Sequence, residues 1–174
     1  MPDSTFVPDS FVVPPPPSTP SFRLEPLAAR HNAADLAAWS SSIEHIRATP
    51  GFADRHWPPA EGMPAADNLR DLVRHADDFA RRTGFTYTVL DPKSDAKSNG
   101  KSDGKSDSEG DDGTAEGDVI GCVYIYPDRD DPAVTQVRSW VRADRAELDE
   151  PLYREVSAWL AECWPFTNVR YASR

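Results

Sequence analysis

Phe85-Thr86-Tyr87-Thr88-Val89-Leu90 and Asp118-Val119-Ile120-Gly121-Cys122-Val123-Tyr124-Ile125-Tyr126 are the two stretches that decide the fold. The first alternates threonine against Phe85, Tyr87 and Val89, the period of a strand with two distinct faces. The second is apolar almost throughout, the composition of a strand covered on both sides. By alternation Tyr124 and Tyr126 are expected to share a face with Cys122 and Ile120. Between the two runs, residues 92–117 are rich in Ser, Gly, Asp and Lys, with Lys-Ser repeated at Lys93, Lys97, Lys101 and Lys105. Such a segment cannot bury apolar surface and is expected as a low-complexity insert at a hairpin tip. Its length costs the hairpin little, because loop-closure entropy grows only slowly.

Further along, Val134–Val141 reads as the next strand. Arg142–Asp149 is a polar connection, and Pro151 suits the first turn of a helix that runs to Cys163. Leu152, Val156, Trp159, Leu160 and Cys163 recur at helical spacing; Pro165 ends the helix, and Asn168–Ala172 forms a last short strand. In the other direction, Phe22–Leu27 alternates as a strand, and His31-Asn32 offers a cap for a helix over Ala33–Trp39. Ser40–Ser42 interrupts, Ile43–Ala48 adds a short helix, and Thr49–Pro64 is a loop. Over Ala66–Thr83, Leu69, Leu72, Val73, Ala76, Phe79 and Ala80 mark a helix that Gly84 is expected to close. This order predicts an α/β (α+β) domain with helices on a largely antiparallel sheet. It spans residues 22–174. Residues 1–21 hold seven of the 17 prolines and are expected as a disordered Pro-rich arm. Phe6, Val7, Phe11, Val12 and Val13 are apolar enough to lie on the domain or on a second subunit.

The 174 residues carry 19 Lys and Arg against 29 Asp and Glu, a formal charge of −10. That balance, with no basic cluster, argues against nucleic acid as partner. No apolar run reaches the length of a membrane span. The first positive side chain is Arg23, so the amino end lacks the charged start of a secretory signal. Cys122 and Cys163 are too few and too far apart for a zinc or disulfide framework, which fits a reducing cytoplasm. His31, His45, His56 and His75 lack metal-ligand spacing, so no metal is expected. Asp107, Glu109, Asp111 and Asp118 only faintly follow a calcium loop, with Asp112 where its glycine belongs.

Phe22–Leu27, the hairpin runs and Ser139-Trp140-Val141-Arg142-Ala143-Asp144 before a helix together resemble the Gcn5-related N-acetyltransferase (GNAT) family. The resemblance covers roughly Phe22 to Tyr171. It implies a mixed sheet with helices on both faces and an acetyl group moved from acetyl-coenzyme A, the acyl-donor substrate, to a primary amine on a small molecule or peptide. In that family the strand–helix junction holds the coenzyme, so Trp140, Val141, Arg142 and Arg145 are the implied cofactor-binding residues. The sequence departs from the pattern here. Arg142–Pro151 has no glycine to let backbone approach a phosphate, and Asp144, Glu147, Asp149 and Glu150 crowd the helix start. The helix and strand pair that normally follow the strand resembling Asn168–Ala172 are not in this sequence. That leaves a sheet edge which a homodimer could cover. Val134–Val141 holds no carboxylate base, so Glu44, His45 and Tyr126 are the catalytic candidates. A catalytically inactive relative that works by binding is the alternative reading.

Overall fold

The computed structural model describes residues 6–53, 57–92 and 118–174. The faint calcium-loop pattern and the Lys-Ser insert lie outside these residues, apart from Pro92 and Asp118 at their flanks. Five strands form one sheet in chain order: β1 (Arg23–Pro26), β2 (Phe85–Asp91), β3 (Asp118–Pro127), β4 (Thr135–Val141) and β5 (Val169–Tyr171). The first three pairings are antiparallel; β4 and β5 run parallel. Helices α1 (Asn32–Ser40), α2 (Ile43–Ala48) and α3 (Ala65–Arg81) follow β1, and α4 (Asp149–Cys163) follows β4 after a 3₁₀ helix at Ala143–Leu148.

Two apolar layers flank the sheet. On one face Trp39, Ile46 and Leu72 from the first three helices pack on Leu90, Cys122 and Trp140. On the other, Leu152, Val156, Trp159 and Leu160 of α4 pack on Tyr87, Val123, Val137 and Val141. β2 is buried along its whole length, as a central strand covered on both faces must be.

Several expectations are corrected. The β2–β3 register shifts between Val89 and Leu90, where Val89 faces Gly121 and Leu90 faces Val119. The unpaired Ile120 is a bulge residue, so it joins the α4 face while Cys122 and Tyr124 join the opposite one. Simple alternation therefore misplaces Ile120. A side chain at Gly121 would stand 2.4 Å from the Trp140 carbonyl, which explains glycine beside the bulge. Leu69 and Val73 do not belong to the buried stripe of α3; they are exposed, while Leu72 is buried as expected and Asn68 is buried with it. Gly84 does not close α3. Arg82 does, in the left-handed conformation at φ 63°. Gly84 is needed because a Cβ there would lie 2.1 Å from the ring of Tyr126.

The arm is not free over residues 6–21. Val7 is fully buried, and Phe6, Phe11 and Val13 pack against the α4 face of the same chain. The Arg82 guanidinium donates to the carbonyls of Pro8 and Phe11 at 2.9 and 2.5 Å. Further on, Leu24 donates its N–H to the Pro17 carbonyl, which ties the arm to the outer edge of β1. The polyproline stretch thus behaves as a strap, and its apolar residues supply part of the core that the sequence reading confined to residues 22–174.

Candidate functional site

The sheet opens between β4 and β5. Their register runs Thr135↔Val169, Gln136↔Arg170 and Val137↔Tyr171 and stops there, while β4 continues to Val141. Thr135 donates its N–H to Asn168, and Arg142 donates its own to Ile120 on β3. Backbone groups alternate along a strand, so Ser139 and Val141 aim at the β5 side with no β5 residue opposite. The 3₁₀ turn and the amino end of α4 follow directly.

Arg174 occupies this opening. Its side chain is 4% exposed, and every N–H of its guanidinium is directed at an acceptor. Nε donates to Asp149 Oδ2 at 2.7 Å; one terminal nitrogen reaches the Ala172 and Pro50 carbonyls at 2.8 and 3.4 Å. The other reaches the Ser139 carbonyl at 2.8 Å and its Oγ at 3.3 Å. The rings of Tyr153 and Tyr171 lie 6.0 and 5.7 Å from the guanidinium carbon. The Tyr171 hydroxyl shares a 2.5 Å hydrogen bond with Ser139 Oγ, and burial pushes that phenol up to about 12. No motif marks Arg174 in the sequence; only the fold brings it to β4.

The implied cofactor residues are placed at this junction but already engaged. Arg142 forms a two-pronged pair with Asp144 at 2.9 and 2.6 Å and a third contact with Asp118 at 2.9 Å. Hydrogen bonding from Arg142 holds the Asp144 carboxyl below its ordinary range, and Asp144 in turn raises the Arg142 guanidinium further. Arg145 pairs with Asp91 at 2.9 Å. Trp140 and Val141 are buried on opposite faces of the sheet; the Trp140 backbone pairs with Cys122 on β3, so of the two only the Val141 backbone can meet a ligand. Ala143 donates its N–H to Ser42 Oγ at 2.8 Å, which fixes the turn to α2. The residues suit an acyl donor through the Ser139–Val141 backbone edge. The arginines suit its phosphates only if they leave their carboxylates.

The catalytic candidates are not brought together. Glu44 is exposed on α2. Beside it, His45 Nε2 is buried without a hydrogen-bond partner among the described residues. Tyr126 belongs to a separate cluster on the α3 face. Its hydroxyl donates to Asp78 Oδ2 at 2.9 Å and lies 2.7 Å from His75 Nδ1, which also approaches Thr86 Oγ1 at 3.1 Å. Since the phenol proton goes to Asp78, Nδ1 carries the imidazole proton and Nε2 keeps the lone pair. Burial, with Arg74 nearby, lowers the His75 pKa to about 4, so the ring is neutral at pH 7. Burial pushes the Tyr126 phenol up. The sequence reading missed Asp78 and His75. Their spacing of three on α3 was the available signal, on a helix read only for its apolar stripe.

Deeper on that face, Asp35 is buried, and Asn68 donates to its Oδ2 at 3.1 Å while accepting from Trp39 Nε1 at 3.1 Å. Desolvation raises the Asp35 carboxyl to about 6. Tyr124 accepts a 3.1 Å hydrogen bond from Trp140 Nε1 and serves as a packed wall. Among the described residues no group of three or more His, Cys, Asp or Glu side chains could hold a metal ion. No helix among them is long and apolar enough to cross a membrane.

No family profile matches the sequence, and no curated protein matches it. Solved structures do match its fold. One is ribosomal-protein-S5-alanine acetyltransferase from Vibrio fischeri, with a TM-score of 0.59 at 10% identity, over 90% of this chain and 72% of that one. Another is RimL, the ribosomal L7/L12 alpha-N-protein acetyltransferase, in complex with coenzyme A, at 0.55 and 8% identity over 83% and 64%. A third is the microcin C7 self-immunity acetyltransferase MccE with acetyl-CoA and AMP, at 0.50 and 9% identity over 82% and 62%. The chain has the GNAT fold, with the mixed sheet and two-faced helix layers that the resemblance implied.

Proposed function

We propose that this chain is a GNAT-type acyltransferase that passes an acetyl group from acetyl-coenzyme A to a primary amine of a small molecule or peptide. The observation that carries the reading is the parting of β4 from β5 after Val137↔Tyr171, beside the start of α4. A strand edge parted from its neighbour in this way can pair with the amides of an extended ligand, as strand edges do with peptides. The ribosomal-protein and microcin-immunity acetyltransferases of like fold support both the donor and an amine acceptor. Transfer requires the amine to lose its proton and the thioester carbonyl to be polarised. His75 is a neutral imidazole whose tautomer Tyr126 and Asp78 fix, but the burial that lowers its pKa to about 4 makes it a weak base, so it serves to hold the Tyr126 hydroxyl rather than to take the proton. Glu44 and His45 remain candidates on α2 without a partner to orient them. A cytoplasmic location and no nucleic-acid partner are part of the same proposal, from charge and cysteine usage.

Titration calorimetry with acetyl-coenzyme A, alongside thermal shift, tests it. Binding heat and a rise in Tm are expected; no heat and no shift at millimolar ligand overturn the enzyme reading. A second reading, a non-catalytic binding protein, is favoured by one observation: Arg142 and Arg145 are both neutralised by carboxylates of the chain itself. It predicts a folded protein that releases no free thiol from acetyl-coenzyme A with any amine offered.

A further inference from the structure

We infer that Arg174 is an internal latch that closes the β4–β5 opening by competing with the acyl donor for the Ser139 edge. The inference rests on the donor reading above and adds a resting state to it. Five acceptors from four separate places in the chain converge on one guanidinium: Pro50 after α2, Ser139 on β4, Asp149 at the head of α4, and Ala172 after β5. Two tyrosines, Tyr153 of α4 and Tyr171 of β5, lie beside it. A surface arginine that merely folds back would leave donors in water; this one has none left over, and its side chain is 4% exposed.

The contact that makes it a competitor is the Ser139 carbonyl. This oxygen points toward the β5 side beyond the last paired residue, where an amide N–H of an extended donor would dock. Arg174 already donates to it at 2.8 Å. The same side chain neutralises Asp149, whose Oδ1 is buried without a partner among the described residues. Displacing the latch therefore leaves a carboxylate at the helix start that opposes an anionic ligand. The arm of the donor that feels only the latch is the uncharged one, so S-acetylpantetheine is the informative probe and acetyl-coenzyme A the comparison.

S-acetylpantetheine is titrated into the full chain, into Arg174→Ala and into Asp149→Asn, which weakens the same contact from its other end. A charge-assisted hydrogen bond contributes enough that both variants should bind about 10- to 100-fold tighter. Guanidinium ion, added at an ionic strength matched with sodium chloride, should reverse the gain in Arg174→Ala and leave the full chain unaffected. A shortfall in folding of Arg174→Ala is read from its circular dichroism; Asp149→Asn then carries the comparison. Measurable and equal affinity in all three proteins, or no reversal by guanidinium, overturns the latch and leaves the donor reading intact. No binding of either S-acetylpantetheine or acetyl-coenzyme A to any of the three overturns the latch together with the donor reading.

Discussion

Burial shifts Asp35 and His75 in opposite directions, so they move stability with pH in opposite senses. Asp35 keeps its proton to about pH 6 in the folded chain and gives it up near 3.8 when unfolded. The folded state binds more protons between those values, so this residue makes stability fall as pH rises through that window, by on the order of 3 kcal/mol. His75 has a folded pKa of about 4 against 6.5, so its contribution is present above pH 6.5 and is lost as pH falls toward 4. Urea unfolding across pH 4–7 should show the Asp35→Asn variant losing the falling component and declining only toward acid. His75→Gln should show the reverse. A profile for Asp35→Asn parallel to that of the unaltered protein would mean the carboxyl is ionised in the fold. At the same scale, Gly84→Ala forces a methyl into the Tyr126 ring and should cost about 1–3 kcal/mol. The cost should shrink in a Tyr126→Ala background, a coupling that a double-mutant cycle reads directly. Neither residue announced itself in the sequence. Nothing in the helical pattern over Ala33–Trp39 singles out Asp35, and Gly84 reads as a helix stop, because what defines both is a neighbour far along the chain.

The elements themselves were more legible, and for a physical reason. β2, β3 and α4 carry patterns set by local geometry, period 2 or near 3.6, and their observed bounds fall within about two residues of those expected. The exceptions depend on tertiary contact. The bulge at Ile120 leaves composition unchanged while moving one side chain to the other face. Leu69 and Val73 fit a helical stripe but lie on the flank of α3 that no described residue covers fully. The arm reads as disordered by proline content, yet Val7 is wholly buried and Arg82 spends two hydrogen bonds on its carbonyls. Removing residues 1–13 should therefore lower Tm, since burial of a side chain such as Val7 is worth about 1.5–3 kcal/mol. Light scattering should also show self-association, because Phe85 and Trp164 lose their cover; Phe6 stacks near the first and Phe11 against the second. An unchanged Tm and mass would show the arm to be detached in solution.

For the whole molecule, function was less legible than architecture. The order of elements sufficed for the GNAT fold. The site could only be inferred from a junction whose glycine motif is missing and whose principal occupant, Arg174, stands outside every recognised pattern. That occupant acts through distance in space, which a linear reading cannot supply. The two arginines of the junction have one more effect. Arg145 and Arg142 grip Asp91 and Asp118, the residues at which β2 ends and β3 begins. Both roots of the hairpin are thus stapled to the turn before α4. Residues 93–117 become an interchangeable cassette: exchanging them for a short Asn-Gly turn should leave Tm within a few degrees, since closing a shorter loop changes the entropy only slightly. The same tolerance would let a lineage, or an engineer, attach new cargo at that tip while the opposite end of the scaffold goes on unaltered.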